Sequence, residues 1–281
     1  VIMPFAKHSE EPLIGETALI TGGSRGIGAT ICRAIAARGA DIAINYLNDE
    51  ATAWQLARDL QHEFGRRSVA IQGDVSKPEQ AKRVVDQAAE RLGSLAILVN
   101  NAGPFALRPL VETSAEAFEQ IFAGNLLATH ACAIAAVPYM RRLGRGAIVN
   151  VGLSATSEIV RGAAHVGAYA LSKLAVASYT RTLAAEVAAD GIIVTCVAPG
   201  LIDNGHLHTV QRQWMQRRCP AGRLGTPTDV ARVVTFMVSK ESQYLSGAVI
   251  NVSGGWDWAV DRSPFADTPK VRGYFAEGET P

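Results

Sequence analysis

TGGSRGIG, residues 21–28, follows the apolar run TALI and opens onto a stretch, 26–38, whose apolar residues recur at helical spacing. Strand, glycine-rich turn and helix in that order present backbone N–H groups and a helix dipole to a phosphate. Gly22, Gly26 and Gly28 stand in G-x3-G-x-G spacing. Glycines there permit a tight turn and let the main chain approach a pyrophosphate. Glycine loops also make plain turns, so the context carries the weight. Ser24, Arg25 and Ile27 complete the part of the loop that would face a dinucleotide.

Outward from this stretch the hydrophobic period keeps switching. Strands are expected at 17–21, 41–45, 68–72, 95–100, 147–151, 192–198 and 248–252. Helices are expected at 26–38, 49–64, 77–92, 114–142, 167–189 and 227–239, with a loop and a short helix over 205–219. Asn48 or Asp49 would cap the second helix, and Pro78 falls in the first turn of the third. Strands alternating with helical crossovers predict a single Rossmann-like, doubly wound α/β domain over 13–256. Its seven-stranded parallel sheet would carry helices on both faces. Residues 1–12 form an N-terminal extension, and the Pro- and Gly-containing stretch 257–281 forms a tail.

Composition narrows the function classes. The 281 residues are 48% hydrophobic and 19% charged, with 27 Lys and Arg against 26 Asp and Glu. That near-neutral, scattered charge offers no face for nucleic acid. Cys32, Cys132, Cys196 and Cys219 show neither CxxC pairs nor metal spacing, and predict reduced, structural thiols and no metal site. The first twelve residues lack the apolar core of a signal peptide. The longest apolar candidate for a membrane span, ACAIAAV, runs into Pro138. These features predict a soluble, cytoplasmic protein without a membrane partner.

Which dinucleotide is expected follows from the end of the second strand. An NAD enzyme places an acid there for the ribose 2′-hydroxyl. Here Asn45 and Tyr46 stand in that place, and Asp49 and Glu50 read as helix-start residues. Arg25 can pair with a 2′-phosphate, although a solvent-facing charge is its plain alternative. The expected cofactor is therefore NADPH/NADP+ rather than NADH. Asp74, in GDV (73–75) with Val75, can accept from the adenine amino group. Asn101, Ala102 and Gly103, in NNAG (100–103), leave room for a ribose at a strand end. Tyr169 and Lys173 stand four apart on one helix, so they share a face. Such a pair also arises by accident as surface residues with snorkelling stems.

The ordered set TGGSRGIG, GDV, NNAG, Asn125, YALSK and APG (198–200) resembles the short-chain dehydrogenase/reductase family across about 14–256. Within it the chain is most similar to 3-oxoacyl-[acyl-carrier-protein] reductase-type ketoreductases. The resemblance implies that Tyr169 gives a proton to the substrate oxygen during reduction. It implies that Lys173 lowers the phenol's pKa and holds the nicotinamide ribose, with Asn125 placing a water beside it. Pro199, Gly200, Ile202 and Asn204 would line the nicotinamide end, and about 201–222 would form the substrate loop. A homotetramer is what the family leads one to expect. The substrate would be a carbonyl compound, either a free small molecule or a carrier-bound acyl group.

Several residues depart from the family pattern. The family's Ser comes three residues after the position of Asn150, where this chain has Leu153. Ser154 fills the role if a one-residue bulge forms at Gly152; Thr156 is one alternative, and the other is that no hydroxyl fills it and Leu153 faces the pocket. Asn204 stands where the family often has Thr. Pro104-Phe105 puts a bulky ring near the pocket, and Gly124 replaces a more usual apolar residue. Phe105, Leu153 and Leu201 favour an apolar substrate, and His206, His208 and Trp214 are candidates for the pocket wall. Three readings compete. They are reduction of a 3-oxoacyl thioester or similar ketone, an alcohol dehydrogenase or ketoreductase of a secondary-metabolite pathway, and a nucleotide-binding homologue without turnover. A hydrolase built on Ser154 and His165 lacks a nucleophile elbow.

Overall fold

The computed structural model describes residues 13–106, 108–154, 167–205 and 207–256. Seven strands form one parallel sheet: β1 (Thr17–Ile20), β2 (Asp41–Tyr46), β3 (Ser68–Gln72), β4 (Ile97–Asn100), β5 (Gly146–Val151), β6 (Ile192–Pro199) and β7 (Val249–Val252). Their order is β3-β2-β1-β4-β5-β6-β7. The order reverses between β1 and β4, and a crevice opens there beyond the carboxyl ends of the strands. The inner strands are continuous apolar runs because both faces are covered.

Helices α1 (Gly26–Ala36), α2 (Glu50–Phe64) and α8 (Pro227–Met237) cover one face. Helices α3 (Pro78–Leu92), α5 (Ala128–Leu143) and α6 (Gly167–Val187) cover the other. Local signals set the helix ends. Asp49 caps α2 by accepting from Thr52 N–H at 3.2 Å, and Gly65 ends it in the left-handed region. Thr226 and Asp229 form a reciprocal capping box at α8. Helices α4 (Ala115–Phe122) and α7 (Thr209–Arg218) lie near the sheet's carboxyl edge.

Two expectations are corrected. The single helix expected over 114–142 is interrupted by a π turn, Ala123–Leu127, centred on Asn125. Such turns displace the helical register and gather at functional sites. Pro138 also fails to stop the apolar run. It lies inside α5, exposed, where a proline removes only its own bond to the preceding turn. The run Ala115–Leu143 therefore has the length and apolarity of a membrane-crossing helix, with mean hydropathy 1.5, and half of that window is buried in the fold. The four cysteines are all free and buried.

Candidate active site

The glycine loop closes between the ends of β1 and β4. Thr21 Oγ1 accepts from the N–H groups of Asn101 and Ala102, each at 3.0 Å. Asn101 Nδ2 donates back to the carbonyls of Thr21 and Gly22 at 3.0 Å. On the other side Asn45 Oδ1 accepts from Gly22 N–H at 3.3 Å, while its Nδ2 donates to Gly73 O at 3.0 Å. Three strand ends thus brace one loop. Thr21 escaped the sequence reading; its signal is a hydroxyl directly before the glycines.

Gly22 and Gly26 adopt φ +58° and +54°, which an L side chain rarely takes. A Cβ at Gly28 would collide with the Gly22 carbonyl and approach Asn101 Nδ2 to 2.7 Å, so α1 docks through bare backbone. Arg25 takes the N-cap of α1 in extended conformation with no side-chain cap, and no acid stands in the first turn. The free N–H groups and positive dipole end of α1 fit a pyrophosphate.

The other expected cofactor residues divide into two groups. Arg25 is exposed beside the loop, and the Asn204 carboxamide lies 3.8 Å from where a Gly26 Cβ would be. Gly103, Pro199 and Gly200 also stand at the carboxyl edge, with Gly200 N–H bonded to Val252 O at 3.0 Å. Asp74 Oδ1 is engaged by Ser76, accepting from its N–H at 3.0 Å and its hydroxyl at 2.6 Å. The side chains of Tyr46, Val75 and Ile202 are turned into the hydrophobic clusters under the helices. For Tyr46 strand alternation sets this direction, whereas Val75 and Ile202 follow the ends of β3 and β6 and pack inward from their loops.

At the reacting end, Lys173 and Tyr169 lie on α6. Lys173 is buried; its Nζ donates to Val151 O at 2.8 Å and lies 5.8 Å from the Tyr169 ring centroid. Burial lowers its pKa to about 8. Tyr169 is half-buried, and burial holds its phenol well above the usual range. The resemblance predicts a lowered phenol through Lys173, whereas in this geometry burial raises it. Asn125, fully buried in the π turn, donates from Nδ2 to Pro104 O at 3.1 Å and Ile121 O at 3.0 Å. Its Oδ1 is buried without a hydrogen-bond partner.

No bulge forms at Gly152. Gly152 N–H donates to Val197 O at 2.7 Å and Ser154 N–H to Pro199 O at 2.9 Å, so pairing with β6 continues in regular alternation. Alternation alone then sets Ser154 on the same face as Asn150, whose Nδ2 donates to Thr180 of α6 at 2.9 Å. Ser154 is buried, and its Oγ has no hydrogen-bond partner. Leu153 instead joins Leu201, Cys219, Leu224 and Trp256 in a small cluster that packs on Tyr169. His208 is exposed at the start of α7, and the Trp214 ring lies under the Arg218 guanidinium at 3.9 Å. Thr156, His165 and His206 lie outside the described residues.

Residues 22–257 match the family model described as enoyl-(acyl carrier protein) reductase. Versicolorin reductase stcU of Emericella nidulans is 32% identical, covering 86% of this chain and 96% of its own. The 3-oxoacyl-[acyl-carrier-protein] reductase FabG of Staphylococcus epidermidis is 32% identical, covering 86% and 99%. A short-chain dehydrogenase from Burkholderia cenocepacia, solved in complex with NADP, superposes with a TM-score of 0.78 at 35% identity, covering 86% and 98%. A glycine loop at the β1–β4 crevice, Tyr169 and Lys173 on one helix, and these matches over most of the chain place it in the short-chain dehydrogenase/reductase family of oxidoreductases.

Proposed function

We propose that the protein is an NADPH-dependent reductase of an apolar carbonyl compound, a 3-oxoacyl thioester or similar ketone, with Tyr169 as proton donor. The observation that carries this reading is the pair on α6: a phenol held protonated by burial, and a buried ammonium within one helical turn. A neutral phenol is the form that gives a proton to an oxygen gaining charge. Lys173, anchored on Val151 O, brings positive charge beside that phenol and steadies it as it becomes phenolate. Asn125 Oδ1 and Ser154 Oγ are buried polar atoms still able to bond; Ser154 donates to the reacting oxygen and Asn125 holds a water. The glycine loop, Asp74 and the main chain at 46–47 hold the dinucleotide, with Arg25 on its 2′-phosphate and Asn204 near the nicotinamide end. The bound nicotinamide supplies hydride.

The NADPH preference rests on the end of β2. Asn45 carries a carboxamide that braces the loop, and the Asp49 carboxylate caps α2, so the end of β2 presents no acid in the place of a 2′-hydroxyl partner. The NADP-bound relative from B. cenocepacia is consistent with it. A homotetramer and a cytoplasmic location are part of the same reading. The apolar wall of Leu153, Leu201 and Trp256 favours a second substrate reading, a ketoreductase of secondary metabolism, as the name of the versicolorin reductase relative would suit.

The test is oxidation of NADPH with an acetoacetyl thioester, with NADH run beside it. The expected result is turnover with NADPH at least tenfold above NADH. Tyr169→Phe should bind NADPH as wild type does and lose about 10²–10⁴ in kcat, the usual contribution of a general acid. NADPH binding without turnover of any ketone would make the chain a nucleotide binder.

A further inference from the structure

Two departures from the family pattern, Pro104 and Gly124, meet in space. Gly124 lies buried in the π turn, and a Cβ there would overlap Pro104 Cδ and approach its Cγ to 2.9 Å. Its neighbour Asn125 donates to the Pro104 carbonyl at 3.1 Å. One residue of the turn admits the proline ring and the next binds its carbonyl. Proline fixes φ, so the chain leaves this grip in one direction. The next side chain is Phe105, whose ring meets Tyr169 edge-on, with centroids 5.0 Å apart and planes at 82°. Phe105 remains 46% exposed. The segment is pinned again further on: Leu110 fills the space over Gly167, the first residue of α6, and a Cβ there would overlap Leu110 Cγ. Both anchors belong to elements that carry the reacting side chains, Asn125 and Tyr169. Elsewhere around the ring, Tyr169 packs on Leu153, Leu201 and Trp256.

We propose that the Pro104–Gly124 lock presents Phe105 as a specificity-determining wall that selects a flat, ring-bearing, uncharged ketone over an open-chain one. The proposal rests on the carbonyl-reductase reading above. A flat ring gains an offset-stacked or edge-on partner in Phe105 while its carbonyl reaches Tyr169. An open acyl chain gains no such pair and loses rotamer freedom on entering. Aromatic pairing is worth about 2- to 10-fold beyond the area buried.

The experiment compares 1-tetralone with ethyl acetoacetate. Both are assayed for turnover with NADPH, and 1-tetralone for binding by calorimetry with NADP+ present. The proteins are wild type, Phe105→Leu, Gly124→Ala and the double variant Pro104→Ala/Gly124→Ala. Wild type is expected to favour 1-tetralone. Phe105→Leu keeps apolar bulk but loses the ring, and should lower the ratio of the two kcat/KM values by about 5- to 10-fold, mainly through KM for 1-tetralone. Gly124→Ala should lower the same ratio by displacing the proline ring, and the double variant, which lacks the ring that fixes φ, should lower it as well. An unchanged ratio in Phe105→Leu, or in both Gly124→Ala and the double variant, overturns the proposal while leaving the reductase reading intact. If neither ketone turns over, 1-tetralone binding that weakens in Phe105→Leu upholds the wall and sinks the reductase reading. Absent or unaltered binding then sinks both.

Discussion

Ser154 shows how a single buried atom separates stability from function. Its Oγ lies out of water without a partner, a cost of about 1–3 kcal/mol unless something binding the site satisfies it. Ser154→Ala removes the orphan. The expected outcome is stability equal to wild type or up to about 1 kcal/mol higher in urea melts, with kcat/KM down about 10²-fold. A destabilised variant with full activity would assign Ser154 to the core instead. The sequence left Ser154 and Thr156 in competition because it could not tell a bulge from straight pairing. The pairing comes from β6, forty-odd residues away, whose carbonyls at 197 and 199 hold the segment straight through Ser154.

Lys173 gives the site its pH dependence. Burial lowers its pKa to about 8, so the ammonium beside Tyr169 is lost as pH rises through that value. The charged form is the one that eases proton release from the phenol. The kcat/KM for reduction should therefore be flat on the acid side and fall above about pH 8, whereas Lys173→Arg, charged throughout, should lose that limb whatever its absolute rate. Stability runs the other way. Between about pH 8 and 10.5 the unfolded chain holds this proton and the folded chain does not, so the Lys173 contribution to stability rises with pH across that window. The shift corresponds to about 3 kcal/mol. Lys173→Met should therefore stabilise most below pH 8, with the gain shrinking toward pH 10.5 in denaturant titrations. A gain that is constant with pH would assign it to packing alone.

At the scale of elements, the strands and most helices were legible because each carries its own period and its own stops. Asp49, Gly65, Thr226 and Pro227 mark ends by local chemistry that any reader of the chain can apply. The π turn at 123–127 was not legible. Its sequence, AGNLL, keeps helical composition, and the contact of Gly124 with the Pro104 ring spans 20 residues that no local pattern links. The inward turn of the Tyr46 side chain was missed for a related reason: a motif names positions, while the strand decides which way they face. The close docking of α1 on its own loop follows from Gly28 and can be tested directly. Gly28→Ala forces a methyl against the Gly22 carbonyl and the Asn101 amide. It should cost about 1–3 kcal/mol of stability and weaken NADPH binding by at least tenfold, because the displaced loop no longer presents its N–H groups. Intact NADPH affinity by fluorescence titration would mean that the dinucleotide does not use this loop.

For the whole molecule the cofactor site and the fold share one foundation. The glycine loop is tied by Thr21, Asn45 and Asn101 to the ends of β1, β2, β3 and β4, which form the centre and one flank of the sheet. A ligand that bonds the loop therefore holds together strands that must separate in global unfolding. Binding to the folded state alone adds about 2.7 kcal/mol at a ligand concentration 100 times Kd. For a domain of this size that corresponds to a rise in Tm of about 5–10 °C. NADPH should produce that rise, and NADH at the same concentration a smaller one, since nothing at the end of β2 offers a carboxylate to a 2′-hydroxyl. Arg25→Ala should bring the NADPH shift down toward the NADH value and change the NADH shift less, because the 2′-phosphate, which NADH lacks, is the proposed partner of Arg25. Equal shifts for both dinucleotides in wild type would remove the basis for an NADPH preference. A preference that survives Arg25→Ala would move the 2′-phosphate contact to the main chain at 46–47.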